Sequence, residues 1–220
     1  QITKSYASGN YPYMISLVER GSRFSFYIIL VLALPVLFET DFILTLWLKQ
    51  YPDHTVNFVR LVLLLSMCDI LSNTLITLQS ATGKIRNYQL AVGGMLLMNF
   101  PLSYIFLKSG FPPESTLIVA LFVSVCCLVL RLLFLHRMVR FSIKRYLRNV
   151  CFNVLLVTFV ATIIPVILFS QMSDGWERFF VVSLGTVLSV AITVYLIGCT
   201  GRERQFILSK IIAVRTKIIG

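Results

Sequence analysis

Six long apolar runs divide the chain, at about residues 24–47, 57–79, 88–107, 115–136, 150–171 and 178–199, and short polar segments separate them. Crossing a hydrocarbon core of about 30 Å takes about 20 apolar residues in a helix, because a spanning segment must satisfy its own backbone groups. Each run reaches or approaches that length. The pattern therefore predicts six transmembrane helices with short connections and no soluble insert, an all-α integral membrane protein. The first run is less regular, since Pro35, Glu39 and Asp41 interrupt it. Paired carboxylates in hydrocarbon are costly on insertion scales. The expectation is a helix that begins before Arg23 and ends near Phe38, with Phe42 to Leu48 at the outer interface, where Trp47 is favoured.

Beyond the sixth run, Thr200-Gly201-Arg202-Glu203 has the spacing of a capping box, in which a hydroxyl caps an amide and the carboxylate reaches back. Ile207, Ile211, Val214 and Ile218 then repeat at helical spacing, with Arg204 just before them and Lys210 and Lys217 at intervening positions. This predicts an amphipathic tail helix lying on the membrane surface.

Composition agrees with the pattern and removes other classes. Of 220 residues, 57% are hydrophobic and 13% charged, with a mean hydropathy of +0.85. A soluble domain has about a quarter of its residues charged, so too few polar side chains are present to cover a water-facing surface. Disorder needs low hydrophobicity. A nucleic-acid reader gathers Lys and Arg on one face, whereas here they form short clusters between apolar runs, so no nucleic-acid partner is expected. Cys68, Cys126, Cys127, Cys151 and Cys199 sit within or at the edge of apolar segments without metal-type spacing and read as small apolar residues. The chain opens on Gln1 with no signal-peptide pattern, and the expectation is that it is part of a longer protein.

The basic residues give sidedness. Fifteen of the twenty fall on alternate connections and both flanks, four on the other side, and Arg131 inside a span. By the positive-inside rule both ends face the cytoplasm. The net charge of +11 is then a matter of topology and of anionic headgroups.

Ionisable groups deep in a span are functional candidates by default. In the second span Ser66, Asp69, Asn73, Thr77 and Ser80 fall on one face, within a sector of roughly 80° at helical spacing. Asp69 is near mid-span. Such a stripe either lines a hydrated cavity or packs as polar glue against another helix. In the fourth span Ala120, Ser124, Cys127 and Arg131 share a face, and Arg131 is six residues, roughly 9 Å, inside Arg137. It either snorkels to the interface or faces a cavity or Asp69. In the third span Pro101 predicts a kink, with Asn99 or Ser103 able to satisfy the loosened backbone, so Pro101 and Asn99 are hinge candidates. Asn149 and Asn153 share a face of the fifth span, where Pro165 marks a bend, and Ser183, Gly185, Thr186, Ser189 and Thr193 suit close packing of the sixth.

Catalysis has little support. His54 and His136 lie at opposite membrane sides, and the chain has no paired-carboxylate motif, no Gly-rich phosphate loop and no H-E-x-x-H. An enzyme is not expected, nor a cofactor or metal.

Several segments carry a resemblance. Ser5-Tyr6-Ala7-Ser8-Gly9-Asn10, the Leu34-Pro35 helix followed by Ile43 to Leu48, Ser80-Ala81-Thr82-Gly83-Lys84-Ile85-Arg86-Asn87-Tyr88, and Met98-Asn99-Phe100-Pro101-Leu102-Ser103 then Gly110 come in an order that resembles the Wzx-like O-antigen and capsule flippases of the multidrug/oligosaccharidyl-lipid/polysaccharide exporter superfamily. The resemblance covers essentially the whole chain. It implies a protein about twice this length, with two lobes around a cationic cavity that alternates between leaflets. Residues 1–136 would be four spans of the second lobe, 137–199 two additional spans, and 200–220 a cytoplasmic tail. The implied substrate is an undecaprenyl-diphosphate-linked oligosaccharide, moved across the bacterial inner membrane, and the implied partners are the bilayer and the missing N-terminal half. A drug/cation antiporter of the same superfamily, with Asp69 as its ion or proton site, and a non-transporting scaffold for glycan assembly are the alternatives.

Overall fold

The structure, a computed structural model, describes residues 1–201 and 203–205. The tail helix expected from Ile207 to Ile218 lies outside the described residues.

A short helix α1 (Ile2–Ala7) leads through Gly9, whose φ of +72° suits glycine, into α2 (Tyr11–Phe38). Asn10 caps α2 by accepting the Tyr13 amide at 3.3 Å, and Pro12 occupies the first turn, where a missing N–H costs nothing. The helix runs through Pro35 and stops at Glu39, after which α3 (Thr40–Leu48) begins as a separate piece. The first apolar run is thus two helices, ending near Phe38 as expected but starting far earlier than hydropathy indicates. The reason is that the first four turns of α2 carry Glu19, Arg20 and Arg23, which lower its hydropathy while packing and pairing within the bundle.

The second span is α4 (Thr55–Ala81), and the third is α5 (Arg86–Leu97) followed by α6 (Asn99–Lys108). Next come α7 (Ser115–Val139) and α8 (Ile143–Tyr146), which continues through a π-helical turn, Leu147–Phe152, into α9 (Asn153–Gln171). Last is α10 (Trp176–Thr193), which ends in a second π-helical turn, Val194–Gly198. Six of these helical units are long and apolar enough to cross a membrane, and the described residues contain no strand. The chain is an all-α, multi-pass membrane protein.

Across the bundle the order is α5–α6, α7, α4, α2, then α9 and α10, which pack on each other and on α2. Cross-links between helices fix their directions. Ser22 of α2 donates to the carbonyl of Leu71 in α4 at 3.5 Å while Asp41, beyond the end of α2, pairs with Arg60 near the start of α4 at 3.3 Å. Arg23 reaches the carbonyl of Gly198 at the end of the sixth span at 3.3 Å while Glu39 meets Arg178 near its start at 3.1 Å. Sequential spans therefore run antiparallel. Consequently Arg20, Arg23, Lys84, Arg86, Arg137, Arg145 and Arg148 collect at one end of the bundle, the geometry that the alternating charge predicts.

The main core joins Leu30 and Leu34 of α2, Leu75 and Leu78 of α4, Leu135 of α7 and Val154, Val157 and Ala161 of α9. Tyr146 is fully buried at its basic end, with its hydroxyl 2.9 Å from the Leu71 carbonyl and 3.0 Å from Ser22 Oγ. The small residues of the sixth span let α10 approach α9 closely: Ser189 donates to the Ala161 carbonyl at 2.9 Å, and a Cβ on Gly185 would stand 2.7 Å from Leu168. The third span is the least covered of the six and joins α7 through Tyr88 and Val92 against Val119, Val123 and Cys127.

Candidate functional site

The polar stripe of α4 faces away from the core. Asp69, Asn73, Thr77 and Ser80 are exposed and Ser66 is half-buried, while Met67, Leu71, Leu75 and Leu78 on the opposite face enter the bundle. The hydroxyls of Ser66, Thr77 and Ser80 turn back to carbonyls of their own helix, those of Val62, Asn73 and Ile76, at 2.9, 3.0 and 3.0 Å. Asp69 alone of the stripe bonds to another helix, accepting from the Ser124 hydroxyl of α7. Glue between helices of this chain therefore accounts for one contact only. The rest of the stripe is a polar strip, running from the middle of α4 to its last turn, that no described helix covers.

Arg131 does not join Asp69. Its guanidinium lies over the Tyr88 ring of α5, 5.6 Å from the centroid, and donates to the Tyr88 hydroxyl. The partner of Asp69, Ser124, is seven residues away along α7, about 10 Å of helix. Arg131 is half-buried, and its Nε has no partner among the described residues. Asp69 and Arg131 are thus held at different depths and by different helices.

At the hinge candidates the third span is divided at a single residue, Met98, which keeps right-handed helical dihedrals (φ −63°, ψ −17°). Helix α5 ends at Leu97 and α6 starts at Asn99, so the break falls at Met98, three residues before Pro101. Pro101 has no amide to offer the carbonyl four residues back, which loosens that turn. The Asn99 and Ser103 side chains do not repair the backbone as expected: Ser103 donates to Asn99 Oδ1 at 3.4 Å, so each occupies the other.

The best-buried charges are ones whose partners local pattern did not give. Glu39, with no exposed surface, receives two parallel bonds from Arg178 of α10, Nε to Oε1 and Nη2 to Oε2, both 3.1 Å. Arg178 also contacts Asp174 and lies 4.4 Å from the Phe169 ring centroid. At the basic end, Glu203 bonds Arg23 at 2.8 Å and Arg20 at 3.3 Å, and its other oxygen accepts the Thr200 amide at 2.7 Å, which is the carboxylate half of the expected capping box. Glu19 pairs with Arg145 at 2.7 Å and accepts from Asn149 at 3.4 Å, and Tyr27 donates to Asn153. The available signal was Glu19-Arg20 and Arg23 inside a helix-compatible stretch leading into an apolar run. Nothing near them in sequence names their partners.

At the opposite end, His54 and Asn57 reach the same oxygen of Glu114, at 2.5 and 3.0 Å. The Asn57 bond, its own backbone amide and His54 hold the Glu114 carboxyl below its ordinary value of 4.5. No cluster of three His, Cys, Asp or Glu suited to a metal occurs among the described residues. Comparison with family models, curated proteins and solved structures returns no match.

Proposed function

We propose that the chain is the C-terminal part of a transporter that flips a lipid-linked oligosaccharide, an undecaprenyl-diphosphate-linked repeat unit, across the bacterial inner membrane for polysaccharide biosynthesis. The observation that carries this reading is the outward-facing stripe of Ser66, Asp69, Asn73 and Thr77, which runs from the middle of α4 toward its end. The Asn73 amide has no partner among the described residues and the Asp69 carboxylate has one hydroxyl; groups so sparsely paired are costly in hydrocarbon, so this face needs a polar neighbour. A hydrated pathway between this bundle and a second lobe supplies one. The order of the Ala81-Thr82-Gly83-Lys84 loop and the Asn99-x-Pro101-Leu102 span, which resembles the flippase family, supports the same reading.

One observation favours the second reading, a drug/cation antiporter of that superfamily. The only charge on the stripe is acidic, where an anionic substrate calls for basic walls. Deleting the full gene distinguishes the readings. Lipid-linked repeat units accumulating on the cytoplasmic face, with glycan display lost, support the flippase. Altered drug sensitivity with normal glycan display supports the antiporter. If neither changes, the chain is a non-transporting scaffold.

A further inference from the structure

A polar cavity lies on the other side of the bundle from the third span, at the basic end, where the first half of α2, the π-helical turn before α9 and the segment after α10 converge. Its volume is about 340 Å³. Arg20, Arg23, Arg145 and Arg148 line it against two carboxylates, Glu19 and Glu203. Both carboxylates are already engaged, Glu19 by Arg145 at 2.7 Å and Glu203 by Arg23 at 2.8 Å and Arg20 at 3.3 Å. The excess is two positive charges. Arg148 makes no ion pair among the described residues, and the Nε of Arg23, a side chain 8% exposed, has no partner among them.

We propose that this cavity binds a phosphate group. The ligand must be anionic, since a cation would meet four guanidiniums whose two counter-ions are occupied. Guanidinium forks match phosphate oxygens in paired bonds, and Asn149 beside them adds an amide donor. The walls are held in place before any ligand arrives: the Arg23 guanidinium is pinned by Glu203 and the Gly198 carbonyl, and Arg145 by Glu19. Two π-helical turns flank the cavity. The first, Leu147–Phe152, carries Arg148 and Asn149, and the second ends at Gly198, whose carbonyl receives Arg23. Widened turns of this kind often occur where a helix is re-shaped around a site. The cavity opens at the end of the bundle where the basic side chains gather, and basic pockets between spans are known to seat anionic headgroups. The same chemistry would take a soluble phosphate. This site is separate from the α4 stripe and does not rest on the transport reading.

The test titrates the intact protein, purified in detergent, with phosphatidylglycerol, with phosphatidylcholine and with inorganic phosphate, following its melting temperature. The expected result is stabilisation by phosphatidylglycerol and not by phosphatidylcholine, with Arg148→Gln weakening the apparent affinity by about tenfold or more, the loss of one charge-assisted contact. Arg148→Lys, which keeps the charge and loses the fork, should fall between the two. Stabilisation by inorganic phosphate that Arg148→Gln abolishes assigns the site to a soluble phosphate instead. No stabilisation by either anion, or stabilisation that both Arg148→Gln and Arg145→Gln leave intact, overturns the proposal.

Discussion

Glu39 and Arg178 form a two-pronged ion pair, 3.1 Å at each contact, that closes the end of α2 against the start of α10 with the carboxylate fully withdrawn from solvent. It explains why α2 ends where it does. Glu39 leaves helical geometry at φ −100°, and Thr40 restarts the chain as α3. Breaking such a pair from one side leaves an uncompensated buried charge, at about 3–5 kcal/mol. Glu39→Ala and Arg178→Ala should each lose stability on that scale in denaturant unfolding in detergent. The double variant Glu39→Leu/Arg178→Met should lose much less than the two single losses added, because no charge is stranded. Additive losses would show that the two side chains act independently.

Much of this architecture was legible from the chain alone, and the reason is that hydropathy and sidedness are local. Six runs of about spanning length and alternating clusters of Lys and Arg specify helices and their directions without any knowledge of neighbours. The stop near Phe38 was legible for the same reason, because Glu39 and Asp41 are costly in hydrocarbon wherever they pack. What could not be read is partnership. Glu39 and Arg178 are 139 positions apart, and Arg23 and Glu203 are 180 apart. The α4 stripe was legible as a face but not as an uncovered one, since exposure depends on where α2 and α7 pack.

Glycines separate close contact from open surface. A Cβ on Gly198 would stand 2.9 Å from the Tyr27 ring and hydroxyl, whereas one on Gly94 meets nothing within 4 Å. Gly198→Ala must displace a ring that also bonds Asn153, and overpacking of this sort costs about 1–3 kcal/mol. Gly94→Ala lies within α5 in ordinary helical geometry, where restricting the unfolded chain gives about 0.4–1 kcal/mol of stability. Paired melting curves in one detergent check the opposite signs.

Glu114 links folding to pH. Its carboxyl is held below 4.5 by bonds from Asn57, its own amide and His54, so the folded state binds the proton less readily than the unfolded chain. For an acid lowered in this way, the stabilisation is present above the unfolded value and is lost as pH falls through the folded one. Stability should therefore drop on acidification below about 4.5, with Glu114→Gln removing part of that drop while lowering stability at neutral pH. Melting temperatures of the two proteins across an acid series measure it. Parallel curves would sink the assignment.

Asp69 offers the sharpest separation of function from folding. It is exposed on α4, and its one side-chain partner is the Ser124 hydroxyl. An exposed position away from the core shifts stability by about 0.5 kcal/mol or less on substitution, so Asp69→Ala should accumulate in the membrane and melt close to the unsubstituted protein. If the stripe lines a transport pathway, the same variant should fail to restore glycan display in the deletion strain. Asn73→Ala, one turn along the same face, should weaken it. Ser124→Ala removes the hydroxyl that orients the carboxylate and leaves the charge, so its defect should be smaller than that of Asp69→Ala. Met67→Ala, on the buried side of the same helix, reverses the pattern: the cavity it leaves costs about 2–5 kcal/mol, and glycan display should fall only in step with the amount of folded protein. Full display with Asp69→Ala at normal abundance would remove the stripe from the pathway.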